Sequence, residues 1–170
     1  MQKPELNELL CGIRAGDKSA FARLYRELSP PVFTIAWRIL QEREAAEDVT
    51  QEVFLKLFCE PPAPSVKNPR AWIFQMARNR AIDLWRGRRE TQSADEGAVD
   101  VFDAVVQRLD VEAAMAELPR LQREVVTLHL TAGLTFREIA PIVGRSVPAT
   151  YRQYRRALDT LREELRGDVL

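Results

Sequence analysis

Two stretches of apolar residues at helical spacing, held apart by an acidic segment with few large apolar side chains, limit what this chain can fold into. The first stretch runs to about Arg89 and the second starts near Val111. Between them, residues 90–100 carry Glu90, Asp95, Glu96 and Asp100 among small polar groups. Such a segment cannot bury enough surface to order itself, and it reads as a flexible linker. A chain of 170 residues accommodates one domain or two small ones, and the interruption favours two. Gly is sparse, at 7 residues, while Ala, Leu, Glu and Arg are plentiful, so the expected class is all-α. Residues 101–106 turn apolar again, either to begin a helix or to dock on a partner.

In the first stretch Phe21, Leu24, Tyr25 and Leu28 keep a helical period. Ser29, Pro30 and Pro31 are expected to interrupt it, and Val32, Ile35, Ala36 and Ile39 resume it. A third helix over residues 42–58 turns Ala46, Val49, Val53 and Leu57 inward. Pro61, Pro62 and Pro64 rule out regular helix in the loop that follows. Asn68 and Pro69 then make an N-cap and first-turn pair for a fourth helix ending near Gly87. In the second stretch one helix over residues 111–118 stops near Pro119. Another passes through Leu121, Val125 and Leu128 and ends at Ala132 and Gly133. Thr135 caps a short helix holding Phe136, Ile139, Ala140 and Val143. After a turn at Gly144, Arg145 and Ser146, a last helix runs from about Val147 to Arg166.

Residues 135–157 have the layout of a helix-turn-helix. Ala140 is small where two helices cross, and Gly144 follows four positions later, where a turn favours positive φ. On the last helix Val147, Thr150, Tyr154, Leu158, Leu161 and Leu165 fall on one side. Arg152, Arg155 and Arg156 fall on the other, with Asp159 the one acid nearby. An arginine fork there can pair with guanine edges or with phosphates, and a solvated helix face would show the same spacing.

The fourth helix has a plausible buried stripe of Ile73, Phe74, Ala77, Ala81, Leu84 and Trp85. Its other side carries Trp72, Gln75, Met76, Asn79, Asp83 and Arg86, and it ends in Arg86, Gly87, Arg88 and Arg89. Aromatic and amide groups beside a basic tail suit single-stranded DNA, although Trp72 and Met76 could equally pack on another helix. The third helix is acidic outside, with Glu44, Glu47, Asp48, Gln51 and Glu52. That face is either solvated or the seat of a basic protein partner.

The formal charge is zero, 25 basic against 25 acidic residues, so no uniformly basic coat exists and local patches must carry any nucleic-acid contact. Cys11 and Cys59 lie far apart and form no CxxC pattern, which points to a reducing compartment. His129 is the one histidine, sits in an apolar helix and reads as structural. Glu47, Asp48 and Glu52 have no matching cluster on a second helix. No catalytic set, metal or cofactor is therefore expected, and the chain does not read as an enzyme. The start has no apolar signal core, and no run approaches the roughly 20 apolar residues that span a bilayer. The expectation is a cytoplasmic protein without membrane insertion.

Several of these segments together resemble the extracytoplasmic-function (ECF) group of bacterial sigma factors in the sigma-70 family. Residues 17–25, Asp17 through Phe21 and Leu24 to Tyr25, resemble the opening of that family's promoter-melting domain. Residues 46–54 resemble its most recognisable motif, and Ala71, Trp72, Ile73 with residues 77–83 resemble the helix after it. Leu118 and Pro119, Arg123 to Val125, and Glu138 to Ala140 resemble the upstream-element domain. The resemblance implies a sigma-2-like helical bundle over residues 1–90, a linker over 91–110 and a sigma-4-like helix-turn-helix domain over 111–170. It implies that Glu47, Asp48, Gln51 and Glu52 dock on the β′ clamp helices of core RNA polymerase, with the β flap a further polymerase contact. It implies that the melted −10 strand is read by the loop over residues 61–69 with Trp72, Met76 and Asn79, while Arg86, Arg88 and Arg89 hold phosphates. The −35 duplex would then be read by Tyr151, Arg152, Arg155 and Arg156. Family members are commonly held by an anti-sigma factor, which makes one a candidate partner. The resemblance departs from the usual pattern at Ala149, Thr150 and Tyr151, and in the number of prolines in the 61–69 loop. The rival reading is a helix-turn-helix regulator that binds DNA without recruiting polymerase, which leaves the acidic helix and the Trp72–Asn79 face without a task.

Overall fold

The computed structural model describes residues 3–91 and 106–167, with side chains over 5–88 and 111–164. Among the described residues there are eight helices and no strand. They fall into two units, Met1–Arg88 and Arg89–Leu170. The expected linker covers residues 91–110, of which 92–105 lie outside the described residues.

The first unit holds α1 (Lys3–Arg14), α2 (Lys18–Leu40), α3 (Arg43–Cys59) and α4 (Pro69–Thr91). The chain reverses between α1 and α2 at Gly16, whose φ of +84° is open to glycine at little cost. Asp17 then caps α2. Its Oδ1 accepts the amides of Ser19 at 2.8 Å and Ala20 at 3.3 Å, two of the donors a helix start leaves orphaned. These bonds, the Ser19 hydroxyl first among them, hold the Asp17 carboxyl below its ordinary range. Leu6, Leu10, Leu24, Leu28, Phe54, Leu57, Ile73 and Phe74 form the interior. Full burial of each such side chain contributes roughly 1.5–3 kcal/mol.

Pro30 and Pro31 do not interrupt α2, contrary to the sequence-based expectation; both lie inside one continuous helix. Their missing amides leave the carbonyls of Arg26 and Glu27 without the usual helical donor. Both of those residues are exposed, as is Pro30, so the change falls on the solvent side of the helix. Meanwhile Leu24, Leu28, Val32, Ile35 and Ile39 stay buried in one phase across the prolines. Continuous burial outweighs two lost hydrogen bonds on the wet side.

Inward positions of α3 are as expected: Ala46, Val49, Val53 and Leu57 are buried. Residues 60–68 form the irregular loop, and Asn68 Oδ1 accepts the Ala71 amide at 3.1 Å to cap α4. That helix continues through Gly87 to Thr91, because an interior glycine costs only ~1 kcal/mol and does not stop a helix. Ile73, Phe74, Ala77 and Ala81 are buried as expected. Leu84 and Trp85 are only half-buried, and Ile82 joins the core.

The second unit holds α5 (Val106–Glu117), α6 (Arg120–Leu130), α7 (Phe136–Val143) and α8 (Val147–Gly167). α5 starts before Val111, which is exposed; Ala114, Met115 and Leu118 turn inward. Arg123 donates to the carbonyls of Ala116 and Leu118 and so closes the end of α5. Thr135 and Glu138 form a reciprocal capping box at the start of α7. The Thr135 amide donates to Glu138 Oε2 at 2.8 Å. Met115, Leu118, Val126 and Ala157 make a core against which Tyr154 and Leu161 pack. On α8 the inward stripe begins at Thr150. Val147 was expected there, yet it is 39% exposed at the helix start, and Ala157 is fully buried. The side chain of Leu165 lies outside the described residues.

Candidate nucleic-acid interface

α3 and α4 enclose a groove of about 570 Å³, a volume in the range of small-ligand sites. Trp72, Gln75, Met76, Asn79, Arg80 and Asp83 line it from α4, and Glu52, Val53 and Lys56 from α3. The α4 residues are spaced three and four apart, so one helical stripe presents them together. Trp72 and Met76 are half-buried and Asn79 is exposed, leaving part of an aromatic face and an amide accessible from the groove. The structure thus brings together three of the expected −10 residues.

Other −10 expectations meet a different geometry. The 61–69 loop does not line this groove. Pro62 is buried, its carbonyl accepts from Arg14 Nη1 at 2.7 Å, and the loop packs on α1 beside Asn7 and Leu10. Pro62 and its bond from Arg14 thus tie the loop to the end of α1. Arg86 is exposed beyond the groove. Arg88 donates to Glu42, the residue that precedes α3, so its guanidinium is already engaged. The side chain of Arg89 lies outside the described residues.

Arg80 was not singled out from the sequence. It closes the groove by a two-pronged ion pair with Glu52. Nη2 donates to Oε1 at 3.0 Å and Nε donates to Oε2. The hydrogen bond from Arg80 holds the Glu52 carboxyl below its ordinary range, against some desolvation. Reciprocally, Glu52 raises Arg80, with a smaller contribution from Asp83. The partners are 28 positions apart, so no local pattern announces the bond, although the stripe Trp72, Met76, Arg80 does place Arg80 on the groove side.

The carboxylates Glu47, Asp48 and Glu52 and the amide Gln51 are exposed on α3. Arg43 Nε donates to Glu47 at 2.8 Å one turn away. Asp48, Gln51 and Glu52 also border a shallow apolar surface formed by Phe21, Tyr25, Phe54, Leu55 and Phe58. There Phe21 meets Phe58 edge-on at 5.1 Å and Tyr25 meets Phe54 at 4.7 Å. Leu55 is 65% exposed and Phe58 49%. The charges of this face are legible in the sequence; its apolar half, built from α2 and α3 together, is not.

In the second unit α7, the turn and α8 form the helix-turn-helix. Gly144 has φ of +66°, and its amide donates back to the end of α7. Ser146 opens α8. Its carbonyl accepts the Thr150 amide and hydroxyl, both at 2.9 Å, and its Oγ accepts the Ala149 amide at 3.3 Å. Pro148 falls in the first turn, where no amide is needed. Tyr151, Arg152, Arg155 and Arg156 are all exposed along α8. The Tyr151 side chain hydrogen-bonds Arg155, keeping that guanidinium firmly protonated, with Asp159 adding to the effect. Tyr151 also sets its ring edge-on to Phe136 at 5.4 Å, so it braces α8 on α7 as well as facing outward. Asp159 lies 3.5 Å from Arg162. His129 is a packing residue: Nδ1 is 2.8 Å from the Leu134 carbonyl, and the ring stacks on Phe136 at 4.5 Å.

Among the described residues no cluster of His, Cys, Asp and Glu could hold a metal ion, and no helix is long and apolar enough to cross a membrane.

Comparison with known proteins finds relatives for both units. Residues 24–91 match sigma-70 region 2, and residues 108–161 match sigma-70 region 4. The chain is 27% identical to the ECF RNA polymerase sigma factor SigK of Mycobacterium sp. (strain KMS), covering 97% of this chain and 87% of that protein. It is 29% identical to the ECF RNA polymerase sigma factor RpoE of Cereibacter sphaeroides, with 88% of each chain covered. Its fold is shared with the sigma factor RpoE of Bartonella quintana, solved in complex with the anti-sigma factor NepR. That match has a TM-score of 0.69 at 22% identity and covers 87% of this chain and 98% of that one. The chain belongs to the extracytoplasmic-function group of the sigma-70 family, alternative sigma factors that direct transcription.

Proposed function

We propose that this sigma factor holds core RNA polymerase through α3 while its two units read promoter DNA in different states. The observation that carries this is the α3–α4 groove, which sets Trp72, Met76 and Asn79 on one wall while α3 keeps Asp48 and Gln51 on its outer face. A stacked base takes the Trp72 face, and its edge meets Asn79, for roughly 1–3 kcal/mol per base. Arg86 follows the backbone of the unpaired −10 strand. Tyr151, Arg152, Arg155 and Arg156 enter the major groove of the −35 duplex, where an arginine fork matches guanine O6 and N7.

Core polymerase meets Glu47, Asp48, Gln51 and Glu52 through basic groups of its β′ clamp helices, and the β flap meets the second unit. The exposed Leu55 and Phe58 beside those carboxylates add apolar contact to the same face. The protein acts in the bacterial cytoplasm, has no chemistry of its own, and is a candidate for restraint by an anti-sigma factor. The test is transcription in vitro with purified core polymerase and a library of promoter fragments, followed by mapping of transcript starts. The expected result is a set of starts sharing −10 and −35 sequences. Absence of promoter-dependent transcripts from folded protein, with sequence-specific duplex binding retained, would establish the regulator reading instead.

A further inference from the structure

The groove between α3 and α4 is electrically balanced by its own lining. Lys56 and Arg80 face Glu52 and Asp83. A nucleic-acid strand needs cations along its phosphates, and here the fork-shaped cation is occupied by a carboxylate. The Arg80–Glu52 pair is bidentate, yet its side chains are 41% and 48% exposed. Exposed pairs hold weakly, so the bond is exchangeable. Guanidinium geometry fits phosphate as well as carboxylate, so an entering strand can replace one partner by the other without moving Arg80.

We infer that Arg80 is a further strand-binding residue of the groove, and that Glu52 masks it until a phosphate of the single strand takes the carboxylate's place. The inference rests on the groove being the strand site. Trp72 and Met76 supply the stacking surface, and Arg80, one helical turn beyond Met76, supplies the phosphate contact beside it. Glu52 therefore sets how tightly the free chain binds a strand: removing its charge unmasks Arg80, and removing Arg80 leaves nothing to unmask.

The experiment measures binding of the full chain to a fluorescently labelled single-stranded DNA of about 16 nucleotides by anisotropy, across a salt series. Glu52→Gln is expected to tighten binding by about twofold to fivefold, the range an exposed ion pair supports. Arg80→Ala is expected to weaken it and to flatten the salt dependence by about 0.7 in log affinity per log salt, one phosphate contact on a single strand. Arg80→Lys, which keeps the charge but not the fork, falls between. The deciding arm is Glu52→Gln in the Arg80→Ala background, where the gain should vanish. Glu47→Gln removes the same charge from α3 but leaves Arg80 paired, and should gain less. An equal gain in both backgrounds, or wild-type salt dependence for Arg80→Ala, would overturn the masking while Trp72→Ala still weakened binding. If Trp72→Ala left strand affinity unchanged, the groove itself would be wrong, and the inference would go with it.

Discussion

Replacing Trp72 by alanine separates strand capture from every other task of the protein. Trp72 stands half-buried on the groove wall with Met76 and Asn79. A base stacked on its ring is worth roughly 1–3 kcal/mol, which is about 5- to 150-fold in an equilibrium. The truncation also costs stability. A fully buried tryptophan loses ~3–5 kcal/mol on truncation, and half-burial brings that to roughly 2 kcal/mol. A unit with an ordinary stability of ~5–15 kcal/mol remains folded. The assay is the lifetime of the open complex formed by the variant with core polymerase, on a duplex promoter and on the same promoter premelted across −10. Lifetimes should fall by about 5- to 150-fold on both templates, with protection of the −35 duplex unchanged. Wild-type lifetimes from a folded variant would refute the stacking role. Full rescue by premelting would show that Trp72 opens the duplex rather than holds the strand.

Arg152→Ala should weaken use of promoters with a strong −35 element by about one base contact, ~1–3 kcal/mol, and spare those without one; an equal loss on every promoter would mark Arg152 as a phosphate contact. Gly12→Val should lower the melting temperature by several degrees. A Cβ at Gly12 would sit 2.9 Å from the Ala20 Cβ, and forcing α1 from α2 costs ~1–3 kcal/mol; calorimetry showing no loss would mean the helices part freely. The Asp17 cap adds an acid-sensitive contribution. Its carboxyl lies lower in the folded than in the unfolded chain, so the contribution is complete above the ordinary value of 3.8 and is lost as pH falls below it. Asp17→Asn should flatten the melting temperature against pH in that acid range, and an unchanged profile would deny the cap this role.

Local signals were legible wherever the physics is local. Asn68 caps α4 and Thr135 caps α7 because a short side chain next to a helix start can reach the orphaned amides whatever the rest of the chain does. Apolar periods located α3 and the inward stripe of α8 from Thr150 onward. Pro30 and Pro31 were misleading because a proline states only what the backbone loses, whereas the burial of Leu28, Val32 and Ile35 decides the outcome. Ion pairs distant along the chain left no trace in the pattern: Glu52 with Arg80, and Glu42 with Arg88. Both recast residues of the expected interfaces. So does the anchoring of the 61–69 loop to Arg14, which only the packing of α1 reveals.

The division of labour between the two units is tested most directly on a promoter found by start mapping. Permanganate reactivity of thymines at −10 and protection of the −35 duplex are measured together, with and without core polymerase. Both signals should arise in the same complex and require core polymerase, with Asp48→Arg reducing both by weakening core binding. A chain that protects −35 yet neither binds core polymerase nor exposes unpaired bases would contradict it.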